Sequence, residues 1–145
     1  MVAVIDLEHH YVSAPQDVWA LATDFKALAE VCRPLVVFDG LPEGRCEPGL
    51  KETVQVRLFG IMPAQPYTME IEAQNDAEMW FQSSELGAGV KSWRHTLRVK
   101  ANGTGATLTD HIEIDAGFLT PLFAMWARKL YRHRHPRRLR LLGEA

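Results

Sequence analysis

The stretch VKSWRHTLRVKANGTGATLTDHIEIDAG, residues 90–117, decides the fold. Its first half alternates. Trp93, His95, Leu97 and Val99 share one face of an extended chain, and Arg94, Thr96, Arg98 and Lys100 share the other. The second half repeats the pattern with Leu108, Asp110, Ile112 and Ile114 together. ANGTG between them supplies the turn. Two such segments read as neighbouring antiparallel strands, apolar on one side and polar on the other. Matching the apolar faces selects a register. A four-residue loop, 101–104, pairs Leu97 with Leu108, His95 with Asp110 and Trp93 with Ile112; one residue more would oppose inner to outer faces. His95 and Asp110 are then direct neighbours on an apolar face, with Cβ atoms roughly 5 Å apart. The plain role of such a pair is mutual satisfaction and a pinned register. Its functional roles are the polar end of a ligand cavity or an acid–base pair.

Working outward, VAVIDLEHHYV is a first strand with Ile5, Leu7, His9 and Tyr11 on one face. Ser13 and Gln16 have capping-box spacing around Pro15 and predict a helix, PQDVWALATD. FKALAEVC predicts a second short helix, stopped before Pro34. Strands follow. LVVFDG and a Gly/Pro-rich loop precede LKETVQVRLFG, which alternates through Val54, Val56 and Leu58. PYTMEIEA alternates through Tyr67, Met69, Ile71 and Ala73. In EMWFQSSE, a two-residue turn at Asn75 and Asp76 puts Trp80 and Gln82 on the face of Met69, leaving Phe81 outside. A bulge at Gly87 and Gly89 would reverse that facing.

The last element is a long helix with Thr120 as cap and Pro121 in its first turn. On a helical wheel, Leu119, Leu122, Phe123, Trp126 and Leu130 form a stripe that continues into His133, Arg137 and Leu141. Arg128, Arg132, His135 and Leu139 fall opposite. Pro136 predicts a kink or a helix end near residue 135. The order is one strand, two short helices, six strands and a long helix. It predicts a single α+β domain over 1–145: a seven-stranded curved antiparallel sheet wrapped around the C-terminal helix.

Charge is divided unevenly along the chain. Residues 1–127 hold 9 basic and 17 acidic side chains, a net of −8, and residues 128–145 hold 7 basic and one acidic, a net of +6. A basic helix docked on an acidic body accounts for this. A helix built for a polyanionic surface would segregate basic and apolar faces along its length, and this stripe does not. Nor is there a nucleic-acid motif or outward aromatic interleaving, so no nucleic acid is expected. No apolar run spans a bilayer, and MVAVIDLEHH does not read as a signal peptide. Cys32 and Cys46 read as two reduced thiols in a cytoplasmic protein, with no metal spacing.

The order of elements resembles the START-like (SRPBCC) superfamily with its helix-grip fold, which includes polyketide cyclases, lipid-transfer domains and plant pollen allergens. SAPQDVWALATD after the first strand, WRHTL and GTGATLTDHIEI carry the resemblance, which covers nearly the whole chain. It implies a deep cavity between sheet and C-terminal helix, filled by a small hydrophobic or amphipathic molecule. Read alone, inward aromatics are core; under the resemblance, Tyr67, Met69, Trp80, Gln82, Trp93 and Ile112 become expected ligand neighbours, with His95 and Asp110 as the polar end. From the helix, Trp126, Leu130, His133 and Arg137 join them, the last two near the cavity mouth. Binding is the preferred function, and no cofactor is expected. The alternatives are a cyclase- or dehydratase-like enzyme using His95 and Asp110, and a membrane-surface or nucleic-acid binder using Arg128, Arg132 and Arg138. No nucleophile motif or phosphate loop favours an enzyme. A homodimer is compatible with the sequence.

Overall fold

The computed structural model describes residues 1–144. Strand β1 (Ala3–Tyr11) leads into helices α1 (Pro15–Ala22) and α2 (Phe25–Cys32). Six strands follow: β2 (Val36–Asp39), β3 (Lys51–Leu58), β4 (Gln65–Asn75), β5 (Trp80–Gly87), β6 (Val90–Asn102) and β7 (Gly105–Asp115). Helix α3 (Thr120–Leu141) closes the chain. The strands form one antiparallel sheet in the order β1-β7-β6-β5-β4-β3-β2, the seven-stranded arrangement expected from the alternation. Helix α3 packs on β1, β7 and α2, while α1 lies beside β6 and β7.

Local chemistry differs from expectation at three places. Ser13 does not cap α1: Ala14 holds that position without a side-chain bond, and Ser13 donates to Glu144 Oε2 at 2.6 Å. Asp24 is the working cap, accepting from the Ala27 amide at 2.8 Å at the start of α2. Thr120 opens α3 but is not its cap; its hydroxyl bonds the Gly117 carbonyl within the preceding turn.

Helix α3 runs through Pro136 to Leu141 instead of ending near residue 135. Proline removes one backbone bond and crowds the Arg132 carbonyl. The segment beyond is held regardless. Arg138 is buried, Leu139 packs against the core, and Glu144 accepts from the Val12 and Ser13 amides at 2.8 and 3.2 Å. Tertiary anchoring on both sides of the proline outweighs the local penalty.

Two apolar groups fill the interior. One joins Ile5, Val31, Val54, Trp93, Ile112 and Leu130, and the other joins Val18, Trp19, Phe81, Leu97, Val99 and Leu108. His95 stands where they meet, edge-on to Phe81 of the second group and to Tyr131 of the first.

Candidate functional site

The β6–β7 hairpin is tighter than the face-matching argument suggests. Asn102 pairs with Gly105 across a two-residue turn, so Leu97 faces Asp110, His95 faces Ile112 and Trp93 faces Ile114. Gly103 turns the chain at φ 63°. Gly105 passes so close to β1 that an added Cβ would lie 2.2 Å from the Tyr11 carbonyl oxygen. The slip is two residues, and a two-residue slip preserves facing. His95 and Asp110 therefore still point inward, but diagonally, and the imidazole spans the extra distance to place Nε2 2.6 Å from Asp110 Oδ1. Both are buried, at 4% and 1% exposure. Burial works against ionisation of Asp110; the His95 bond and the charges of His95, Arg138 and Arg134 outweigh it and hold the carboxyl below its ordinary value. With Asp110 ionised, His95 Nε2–H is the donor.

Strand β5 faces the opposite way from the two-residue-turn reading. Asn75 pairs with Trp80, so the connection is four residues, and the register shifts between Ile71 and Ala73 and again between Glu85 and Gly87. Each shift inverts the alternation downstream. Phe81, Ser83 and Glu85 consequently point inward. Trp80 and Gln82 stand on the outer face and are not part of the site. Trp80 pairs with Arg98, whose guanidinium lies 5.7 Å from the indole centre. Glu85 is the group that sequence reasoning missed. Tyr67 Oη donates to its Oε1 at 2.8 Å and Ser83 Oγ to its Oε2 at 3.0 Å. Burial, then the neighbouring Glu85, pushes the Tyr67 hydroxyl well above its ordinary pKa.

Helix α3 is rotated by about one residue from the wheel. Ala124, Ala127, Leu130, Tyr131, Arg134 and Arg138 face the protein, while Leu122 and Met125 are 60% and 67% exposed. Large apolar side chains dominate a helical wheel, whereas the backbone approaches the sheet where alanines let it. Arg138, expected on the exposed side, is only 3% exposed. His133 and Arg137 do not reach the interior. His133 Nε2 lies 2.6 Å from the Arg33 carbonyl at the end of α2, and Arg137 Nε lies 3.0 Å from that same nitrogen. A stripe of Ala124, Ala127, Tyr131, Arg134 and Arg138 was readable as a close-packing face, but its two arginines argued against burial.

Two adjoining chambers lie beneath the helices, an outer one between the sheet and α3 and an inner one walled also by α1 and α2. The outer chamber, about 450 Å³, is walled by Val36, Val56, Leu58, Tyr67, Trp93 and Val90 from the sheet and by Phe123, Trp126 and Leu130 from α3. Leu122, Met125 and Lys129 stand at its open side. The inner chamber, about 70 Å³, has Met69, Ser83, His95, Leu97 and Arg138 in its wall. Phe38, Glu85, Tyr131 and Arg134 border both. Of the expected ligand neighbours, Tyr67, Trp93, Trp126 and Leu130 thus meet in the outer chamber and Met69 and His95 in the inner one. Asp110 backs His95 without lining either chamber, and Ile112 is core. No group of three or more His, Cys, Asp or Glu among the described residues is placed to hold a metal.

This architecture is that of the START-like, helix-grip proteins: a curved antiparallel sheet gripping a long C-terminal helix over a cavity. The chain belongs to the family described as domain of unknown function DUF8410, whose model matches residues 10–142. Among solved structures, a protein from Chromobacterium violaceum superposes with a TM-score of 0.73 at 16% identity, over 98% of this chain and 97% of that one. Norcoclaurine synthase from Thalictrum flavum gives 0.72 at 12% identity, over 100% and 88% of the two chains. A START superfamily protein from Mycobacterium smegmatis gives 0.69 at 10% identity, over 95% and 98%. At these identities the likeness is one of fold. No curated protein matches the sequence significantly.

Proposed function

We propose that the protein binds a small amphipathic molecule between sheet and α3, its apolar body in the outer chamber and its polar end toward the inner one. The observation that carries this is the cavity itself. About 450 Å³ of largely apolar space ends on Glu85, Tyr67 and Arg134. Ligand sites have this size and this composition, apolar walls with a few placed polar groups. The test is titration with a neutral fluorescent probe, N-phenyl-naphthylamine, with native mass spectrometry of the purified protein. Saturable one-to-one binding is expected, and Val90→Trp, which fills the chamber from the β5–β6 side, should weaken it about tenfold or more. Absence of stoichiometric binding, or indifference to Val90→Trp, refutes the proposal.

A second reading, acid–base catalysis of the cyclase or dehydratase kind, is favoured by one observation: His95 borders the inner chamber with Asp110 fixed behind it. Turnover of an enolisable substrate that disappears in Asp110→Asn at unchanged affinity would establish it. Of the residues in the surface-binding reading, Arg128 and Arg132 are exposed and Arg138 turns inward. The setting we propose is cytoplasmic. Cys32 and Cys46 are free, and burial pushes the Cys46 thiol up to about 12, leaving it unreactive. Among the described residues, no helix is long and apolar enough to cross a membrane.

A further inference from the structure

Arg134 and Arg138 stand one helical turn apart on the buried face of α3, 8% and 3% exposed. Arg134 borders both chambers and Arg138 the inner one. Neither takes part in an ion pair among the described residues. Arg134 Nε and Arg138 Nη1 are buried without any hydrogen-bond partner. The Tyr131 ring lies 4.2 Å from the Arg134 guanidinium. Two carboxylates lie in the same region, and both are engaged elsewhere. Asp110 is bonded to His95, and each oxygen of Glu85 receives a hydroxyl, from Tyr67 and Ser83.

Asp110 and Glu85 act on Arg134, and Asp110 on Arg138, only through the field, without a direct ion pair among the described residues. Buried guanidinium donors left without a direct partner are costly. Both arginines border a chamber of about 70 Å³, which shares Phe38, Glu85, Tyr131 and Arg134 with an apolar one of about 450 Å³. The small volume suits a compact head group and excludes a bulky one. Guanidinium offers a planar fork of donors whose natural partner is a carboxylate.

We infer that the ligand is an amphipathic carboxylate, its anionic head received by Arg134, with Arg138 adding charge behind it, and its hydrocarbon body in the outer chamber. This deepens the binding function proposed above and rests on it. The anion then lies at the inner end, away from His133 and Arg137, which do not reach the interior. Glu85 opposes the head group electrostatically and limits affinity. The hydroxyls of Tyr67 and Ser83 moderate that opposition.

The experiment compares decanoate with decanol, equal in chain length, by displacement of N-phenyl-naphthylamine near neutral pH, where decanoate is ionised. Wild type should prefer decanoate by about tenfold or more, as expected for a charge-assisted pair in a poorly hydrated site. Arg134→Gln should abolish the preference, weakening decanoate about tenfold more than it weakens decanol. No preference in wild type, equal weakening of both probes in R134Q, or loss of the preference in Lys129→Gln instead, each overturns the inference while the binding function stands. If neither probe displaces the dye from wild type, the binding function fails and the inference with it. Should R134Q not fold, Glu85→Gln decides. A preference for decanoate that rises severalfold supports the inference, and one that stays or falls overturns it.

Discussion

Removing Asp110 should strand two kinds of group at once. Among the described residues, its Oδ1 takes the only hydrogen bond that His95 Nε2 makes, in a place where both side chains are nearly inaccessible. Leaving a buried donor unsatisfied costs about 1–3 kcal/mol. Asp110 also lies within the fields of Arg138 and Arg134, without a direct ion pair to either among the described residues, so its removal adds a smaller electrostatic loss. We expect Asp110→Ala to lose about 3 kcal/mol, toward the upper end of that range. His95→Leu should lose a similar amount, because Asp110 Oδ2 already lacks a partner and Oδ1 then lacks one too. The double change His95→Leu with Asp110→Leu should cost less than the two singles together by about 2 kcal/mol, since both polar groups leave together. Urea unfolding followed by tryptophan fluorescence closes the cycle. The pH dependence provides an internal check. The folded pKa of Asp110 is depressed, so its stabilising contribution is fully present above the unfolded value of about 4 and is lost as pH falls through the lower folded value. The stability difference between wild type and Asp110→Asn should therefore be flat at neutral pH and shrink in acid beneath about pH 4. Additive single losses, or a difference that grows in acid, would refute the account of this pair.

Strand β5 offers a direct test of facing: Phe81→Ala should cost about 3–5 kcal/mol and Trp80→Ala less than about 1 kcal/mol, and the reverse ranking in urea would restore the other alternation. His9 and His135 stack at 4.5 Å, and burial first, with nearby positive charge, depresses the pKa of each. Their neutral forms belong to the folded state, so stability should decline as pH falls below the unfolded histidine value of about 6.5, and His135→Phe should flatten that decline in melts between pH 7 and pH 5. Gly105→Ala should lose about 1–3 kcal/mol through the clash with the Tyr11 carbonyl, seen as a lower Tm, and an unchanged Tm would mean β1 can yield.

The period-two pattern of Trp93, His95, Leu97 and Val99, and of Leu108 to Ile114, determined the strands β6 and β7 and their inward faces, because alternation is a property of the backbone itself. The order of elements and the Thr-Pro start of the last helix determined the fold class in the same local way. Tertiary structure alone decided what depends on meeting a partner. The register of His95 against Asp110 followed from a two-residue turn, a choice between pairings that preserve the same faces. Whether Trp80 or Phe81 turns inward was set by two register shifts in β5, and nothing within EMWFQSSE distinguishes them. The rotation of α3 was settled by Ala124 and Ala127, whose small side chains permit close approach where larger ones would hold the helix away. That rotation buried Arg134 and Arg138, and with them the polar end of the cavity. Sequence periodicity ranks faces by hydrophobicity, whereas packing selects them by fit.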